Sequence, residues 1–248
     1  MAVIRFDPIQ SIPLGPLKVT SHGLFIFLGA LLTLFWARAR TPPEYREAME
    51  GALPWMTVSG VLGARLAWVV INPGEIHSPL DVIAFWQGGL VSYGGMLGAL
   101  TAWTVYGRVY RLPVGRLTDA LAPAGLLGWG VGRLGCFMSW VGEPGSPTTL
   151  PWGVTAPEIM GARHPVMLYQ SFMLILGAGL VVWLARRTGR SAAGLSLGVY
   201  GLSRFVGDLF RDWTPDWLGT VSMVIALALA AAGLIYALRV PARPVSKI

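Results

Sequence analysis

The run VSMVIALALAAAGLIYAL, from Val221 to Leu238, carries no charged residue, and its reading decides the fold class. A helix rises 1.5 Å per residue, so a run of this length approaches the ~30 Å hydrocarbon thickness of a bilayer. In lipid, every backbone N–H and C=O must be satisfied within the protein, which makes a helix the natural form of such a run. Working outward, six more windows share this character. The full set is 17–37, 51–72, 88–107, 117–140, 164–185, 193–211 and 217–238. The expected fold is therefore all-α: a polytopic membrane protein with about seven transmembrane helices.

Composition agrees. Of the 248 residues, 54% are hydrophobic and only 12% charged, about half the share of a soluble domain. The 11 tryptophans suit the interfacial belts of a membrane protein. A net charge of +7 would raise the question of nucleic acid in a soluble chain. Here the basic residues sit in short loops, with no basic face interleaved with aromatics, so nucleic acid is not an expected partner. The single cysteine, Cys136, excludes an intrachain disulfide. The first apolar run is too long for a signal-peptide core and lacks a small-residue cleavage site, so it reads as a retained span.

The loops set the orientation. Arg38, Arg40 and Arg46 occupy the first loop, Arg108, Arg111 and Arg116 the third, and Arg186, Arg187 and Arg190 the fifth. Arg239, Arg243 and Lys247 follow the last span. The second loop has no Lys or Arg, the fourth only Arg163, and the sixth only Arg211. Basic loops stay cytoplasmic, which puts the N-terminus outside and the C-terminus inside. No internal repeat or domain linker interrupts residues 1–248, so a single transmembrane domain is expected. The longest connection, outer loop 141–163, is rich in Gly and Pro and has the length of a lid. Leu80 to Trp86 in the second loop reads as a short interfacial helix.

With that orientation, the polar residues within the spans gather in the outer leaflet. They are His22, Arg65, Tyr93, Arg133, Cys136, Ser139, His164, Arg204 and Asp208. Arg65 lies roughly 21 Å from the inner end of its span. Asp119, at an inner end, is the exception. Ionisable groups at membrane depth are costly and normally face a cavity or a partner. Tyr200, Arg204 and Asp208 follow an i, i+4, i+8 stripe, which also suits a structural ion pair. Three arginines in one layer, with Asp208 as the obvious counter-charge, point instead to an anionic ligand. In a bacterial outer leaflet that anion is a phospholipid headgroup, and the arginine fork suits phosphate.

These residues fall in segments that resemble one family. Gly130-Val131-Gly132-Arg133-Leu134-Gly135-Cys136-Phe137 is similar to the signature of bacterial prolipoprotein diacylglyceryl transferases. So are Gly88 to Gly95, Arg163-His164-Pro165 with Leu168-Tyr169, and Tyr200-Gly201 with Arg204, Asp208 and Arg211. Ser21-His22-Gly23-Leu24 and Leu62-Gly63-Ala64-Arg65 fit the first two helices. The segments come in the family's order and cover nearly the whole chain. The resemblance implies transfer of the diacylglyceryl group of phosphatidylglycerol to the lipobox cysteine of a prolipoprotein signal peptide, the first step of lipoprotein maturation. It implies an enzyme of the bacterial cytoplasmic (inner) membrane, surrounded by bilayer lipids, without metal or organic cofactor. Arg133 is then the main headgroup contact and Arg204 a second, with Asp208 orienting Arg204. Tyr200 and Ser139 hydrogen-bond the glycerol, Arg65 supports the site, and Gly142 permits close backbone approach.

The chain also departs from the family. The usual histidine of the third helix is Tyr93, whose phenol, with an ordinary pKa near 10, is a poor base at neutral pH. The usual asparagine is Cys136, which by itself reads as a packed thiol, and the usual tyrosine of the first helix is His22. The acidic residue after the signature corresponds to Val141 or Glu143. The base is thus open between Tyr93, His22, His164 and none, since nearby cations alone raise a thiol's thiolate fraction. His164, beside Pro165, also reads as a structural cap. Two other functions fit intramembrane arginines: an anion or lipid transporter, and a lipid-binding relative without catalysis. The missing repeat and the one-sided polar layer weigh against the transporter.

Overall fold

The structure, a computed structural model, describes residues 4–14, 17–84, 89–140, 145–157, 160–213 and 216–241. Helix dominates: α1 (Ser21–Arg40), α2 (Pro43–Ile71), α3 (Ser92–Val109), α4 (Val114–Met138), α5 (Val166–Thr188), α6 (Ala192–Leu209) and α7 (Asp216–Arg239). Among the described residues, α1, α2, α5 and α7 are long and apolar enough to cross a membrane. Among the described residues, four short strands accompany the helices: β1 (Ile4–Arg5), β2 (Ser11–Leu14), β3 (Leu17–Thr20) and β4 (Val154–Thr155). β1 pairs with β4 in parallel, Ile4 opposite Val154. β2 and β3 form an antiparallel hairpin, Ser11 opposite Thr20.

The helix boundaries differ from the hydropathy windows, and two of the differences have clear causes. Residues 17–20, expected as the start of the first helix, belong to β3. Thr20 ends the strand and accepts the Gly23 N–H at 3.1 Å, which fixes the start of α1 at Ser21. α2 begins at Pro43 rather than at 51. Proline at the first helical position loses no intrahelical bond, and Glu44 in the first turn complements the helix dipole. Those turns are polar, so an apolar window misses them. The expected interfacial helix at 80–86 is a 3-10 turn, Pro79–Val82, closed by a reciprocal Ser78–Asp81 capping box. Phe85 and Trp86 lie outside the described residues.

The chain forms two compact units, residues 1–40 with 118–247, and residues 41–117. In the first, small residues bring helices together. A Cβ added to Gly29 of α1 would strike the Gly128 carbonyl of α4. Thr33 reaches across the same contact to the Ala124 carbonyl, at 3.2 Å. Ser171 of α5 donates to the Gly130 carbonyl of α4 at 2.8 Å. Gly201 of α6 lies on Ala226 and Ala230 of α7. This is how helices pack where lipid is as apolar as their own side chains. Asp119 also finds its reason here. Its Oδ1 accepts from the Ser191 hydroxyl at 2.7 Å and the Ala193 N–H at 2.8 Å, so α4 caps the start of α6.

In the second unit α2 and α3 run antiparallel. Gly63 meets Gly94, and Ser59 meets Gly98, with no room for a Cβ at any of the three glycines. Between them, Gly89 has φ +69°, and a Cβ there would run into the Trp68 ring and the Arg65 guanidinium.

Replacing Asp119 with Ala removes the one oxygen that accepts both hydrogen bonds at the start of α6. The expected cost is about 1–2 kcal/mol, read as a lower melting temperature in detergent, with Asp119→Asn falling in between.

Candidate active site

The centre of the first unit is α6. Its residues Tyr200, Arg204 and Asp208 are all buried, with exposures of 6%, 5% and 2%. The i, i+4 spacing turns Arg204 toward Asp208, with Nη2 3.1 Å from Oδ1. Arg211, one turn on, brings Nη1 to 3.6 Å from the same oxygen. The other carboxylate oxygen accepts the Ser222 hydroxyl of α7 at 2.6 Å. Arg204 Nη2 in turn donates to Ser222 at 3.2 Å. The Trp213 indole N–H reaches the Asp208 carbonyl at 3.2 Å, and Arg211 lies over that ring, 4.7 Å from its centroid. Tyr200 meets Trp129 of α4 edge-on at 5.9 Å.

On α4, Arg133 and Cys136 sit one turn apart. The Cys136 thiol lies against both Arg133 and His22 of α1. Gly135 makes this approach possible, since a Cβ there would press on Phe25 and the His22 backbone. Arg133 Nε and His22 Nδ1 are buried without a hydrogen-bond partner among the described residues. Ser139 gives its hydroxyl proton to the Gly135 carbonyl of its own helix at 2.7 Å. His22, Arg133 and Cys136 are thus brought together, as are Arg204, Asp208 and Arg211. Gly142 lies outside the described residues.

The described residues of the loop between α4 and α5 are tied down. Ser146 N donates to the Phe210 carbonyl at 2.8 Å, and His164 N to the Ser146 carbonyl at 3.1 Å. Arg163 pairs with Asp212 at 2.6 Å. His164 Nδ1 is 3.2 Å from the Tyr169 hydroxyl, which also accepts the Trp152 indole N–H at 2.9 Å. The imidazole lies 4.8 Å from the Phe210 ring centroid. Its burial there pushes its pKa below the ordinary 6.5.

In the second unit, Arg65 turns inward. Nε donates to the Asp81 carbonyl at 3.2 Å, and Nη1 to the Gly89 carbonyl at 3.3 Å. The guanidinium stacks over Trp68 at 4.3 Å. The Asp81 carboxylate accepts the His77 and Ser78 N–H groups, which hold its pKa below the usual carboxylate value. Arg65 thus braces the loop between α2 and α3. Tyr93 is the second residue of α3 and half-buried.

Ser222 was not among the residues singled out by sequence. It lies in the charge-free run, and the signal available was a hydroxyl in otherwise apolar sequence. Among the described residues, no cluster of three His, Cys, Asp or Glu side chains is arranged to hold a metal.

Residues 10–239 match the family model for prolipoprotein diacylglyceryl transferase. The chain is 34% identical over 235 residues to the phosphatidylglycerol–prolipoprotein diacylglyceryl transferase of Nitrosomonas europaea, covering 90% of this chain and 84% of that one. It is 35% identical to the enzyme of the same name from Aromatoleum aromaticum, with coverages of 90% and 89%. For the one from Solidesulfovibrio magneticus the identity is 30%, with 93% of each chain covered.

The lowered pKa of His164 fixes the sign of one pH effect. The unfolded chain binds this proton more readily, so stability is lost as pH falls below 6.5 through the lower folded value. His164→Phe is expected to melt lower than wild type at pH 8 but to lose less on acidification. Parallel melting curves against pH would contradict this.

Proposed function

The chain belongs to the prolipoprotein diacylglyceryl transferase family, and from that premise we infer that it is a membrane enzyme of lipoprotein maturation. It moves the diacylglyceryl group of phosphatidylglycerol onto the lipobox cysteine in a prolipoprotein signal peptide. The whole chain acts as one membrane domain of about seven spans in the bacterial cytoplasmic membrane. The N-terminus is outside, the C-terminus is in the cytoplasm, and loop 141–163 serves as a lid.

In the reaction, the cysteine sulfur attacks the glycerol carbon that carries the phosphate. A C–S bond forms as the C–O bond breaks, glycerol phosphate leaves as an anion, and the thiol proton passes to a base. Catalysis is then mainly a matter of donors preorganised around the departing charge. The observation that carries this reading is the buried Nε–H of Arg133, without a protein acceptor among the described residues, beside His22 and Cys136. A guanidinium edge of this kind suits a phosphate oxygen. Arg133 holds the headgroup, and Arg204, fixed by Asp208, meets the charge that develops on the leaving phosphate. Tyr200 and the lone pairs of Ser139 face the glycerol, and Gly142 lets the backbone come close. Arg65 is a supporting residue, as the family resemblance implies. His22 is the favoured proton acceptor, because it touches the same group of residues as Arg133. Tyr93 and His164 take part through hydrogen bonding.

Purified protein, phosphatidylglycerol and a lipobox peptide test this directly. The expected result is a diacylglyceryl mass increase on the peptide cysteine. Arg133→Ala is expected to reduce the rate by about 10²–10³-fold. Tyr93→Phe is expected to keep measurable activity, and complete loss would instead assign Tyr93 the proton transfer. Lipid binding without any mass increase in the wild type would refute the transferase reading.

A further inference from the structure

We propose that Gln170 of α5 is a substrate-contact residue whose carboxamide reads the hydroxyls of the glycerol headgroup in phosphatidylglycerol. This rests on the transferase reading and deepens it, since it assigns the choice of headgroup to a residue that neither charge nor hydropathy marks. Gln170 lies one turn into α5 and is buried, at 2% exposure. Its Nε2 has no hydrogen-bond partner among the described residues. Buried donors are nearly always paired, and one without a partner costs stability. Polar side chains close by follow that rule. Ser171 donates to the Gly130 carbonyl of α4 at 2.8 Å, and Ser203 of α6 to the Tyr200 carbonyl at 2.9 Å. An apolar side chain of similar shape would fill the position of Gln170 without that cost. The partner of its amide is therefore a group that the folded chain does not supply.

The location narrows the partner. Gly207 of α6 makes room for the carboxamide, which a Cβ at that position would strike. Residues 200, 204 and 207 are spaced i, i+4, i+7, so the amide rests on the face of α6 that carries Tyr200 and Arg204. On its other side, Ser171 ties α5 to Gly130, one turn before Arg133 on α4. The two helices that hold the headgroup in the transferase reading thus both meet α5 at Gln170 and Ser171. Chemistry then sorts the contacts. A phosphodiester offers acceptors and a guanidinium only donors, so arginines match the phosphate. A carboxamide is uncharged and presents a donor beside an acceptor. A hydroxyl also donates and accepts, which makes the glycerol diol beyond the phosphate its complement. Such a group discriminates strongly, because a lipid that lacks the hydroxyls leaves it unpaired.

The test compares binding of phosphatidylglycerol and of phosphatidylmethanol, which has the same phosphodiester charge and no diol, in wild type and Gln170→Met. Unliganded melting temperature and KM for the lipobox peptide are measured beside it. The wild type is expected to bind phosphatidylglycerol more tightly than phosphatidylmethanol. Gln170→Met is expected to weaken phosphatidylglycerol binding by about threefold to tenfold, the worth of one or two neutral hydrogen bonds. Its affinity for phosphatidylmethanol is expected to stay close to wild type. It is also expected to melt no lower without lipid, because the lost amide had no protein partner. An equal loss for both lipids, no loss for either, a lower unliganded melting temperature, or a raised peptide KM with unchanged lipid binding would each overturn the proposal. If Gln170→Met does not fold, Gln170→Leu takes its place, and failure of both to fold overturns it too. A wild type that prefers phosphatidylglycerol but transfers nothing sinks the transferase reading alone, and Gln170 is then judged on the two affinities. A wild type that binds neither lipid overturns both.

Discussion

Taking a carboxylate out of water costs several kcal/mol unless other donors replace the water. Asp208 has no exposed side-chain surface, and its surroundings answer that requirement. Arg204 and Arg211 share Oδ1, and the Ser222 hydroxyl serves Oδ2. The arrangement determines more than local stability. It joins α6 to α7, fixes the direction of Arg204, and through Arg211 and Trp213 connects to the segment that follows α6. That segment is also where the loop between α4 and α5 is anchored, through Ser146 on the Phe210 carbonyl and Arg163 on Asp212. The electrostatics of one buried carboxylate thus reaches from Arg204 to the loop between α4 and α5.

Such a network needs neighbours that approach closely, and small residues provide this. Gly201 brings the backbone of α6 onto α7 within one turn of Arg204. Gly135 does the same for α4 on α1 at His22, next to Cys136. In each case the missing side chain lies beside a polar group that must reach a neighbouring helix. Packing glycines and functional side chains are therefore interleaved along the same helix, and the glycine-rich signature around Arg133 has two physical roles. It brings α4 close to α5 at Gly130, and it brings α4 close to α1 at Gly135.

Much of this was legible in the sequence because membrane burial leaves a strong hydropathy signal. Each of the seven windows overlaps a helix, four of them long and apolar enough to cross a membrane among the described residues, and the i, i+4, i+8 stripe placed Tyr200, Arg204 and Asp208 on one face. The failures have specific causes. A polar first segment hid the start of α2, since Pro43 to Glu50 contributes helix without hydropathy. A local cap at Thr20 gave residues 17–20 to a hairpin. Asp119 seemed out of place until its partners, Ser191 and Ala193, came from a distant helix. Ser222 could not be singled out, because a serine that crosses to another helix looks in sequence like one that bonds to its own.

Arg65 and Arg204 show why depth alone does not assign a role. Both are nearly fully buried, at 4% and 5% exposure. Arg65 directs its donors at the backbone carbonyls of Asp81 and Gly89 and stacks on Trp68, so its fork holds a loop in place. Carbonyls offer dipoles fixed by the backbone, and engaging them commits the guanidinium to that loop's geometry. Arg204 engages a carboxylate and a hydroxyl on two helices. The two acceptor sets differ in kind: backbone dipoles of a loop for Arg65, and a carboxylate and a hydroxyl side chain for Arg204. The difference lies in the acceptor set, which sequence places far from either arginine: Asp81 and Gly89 for one, Ser222 for the other.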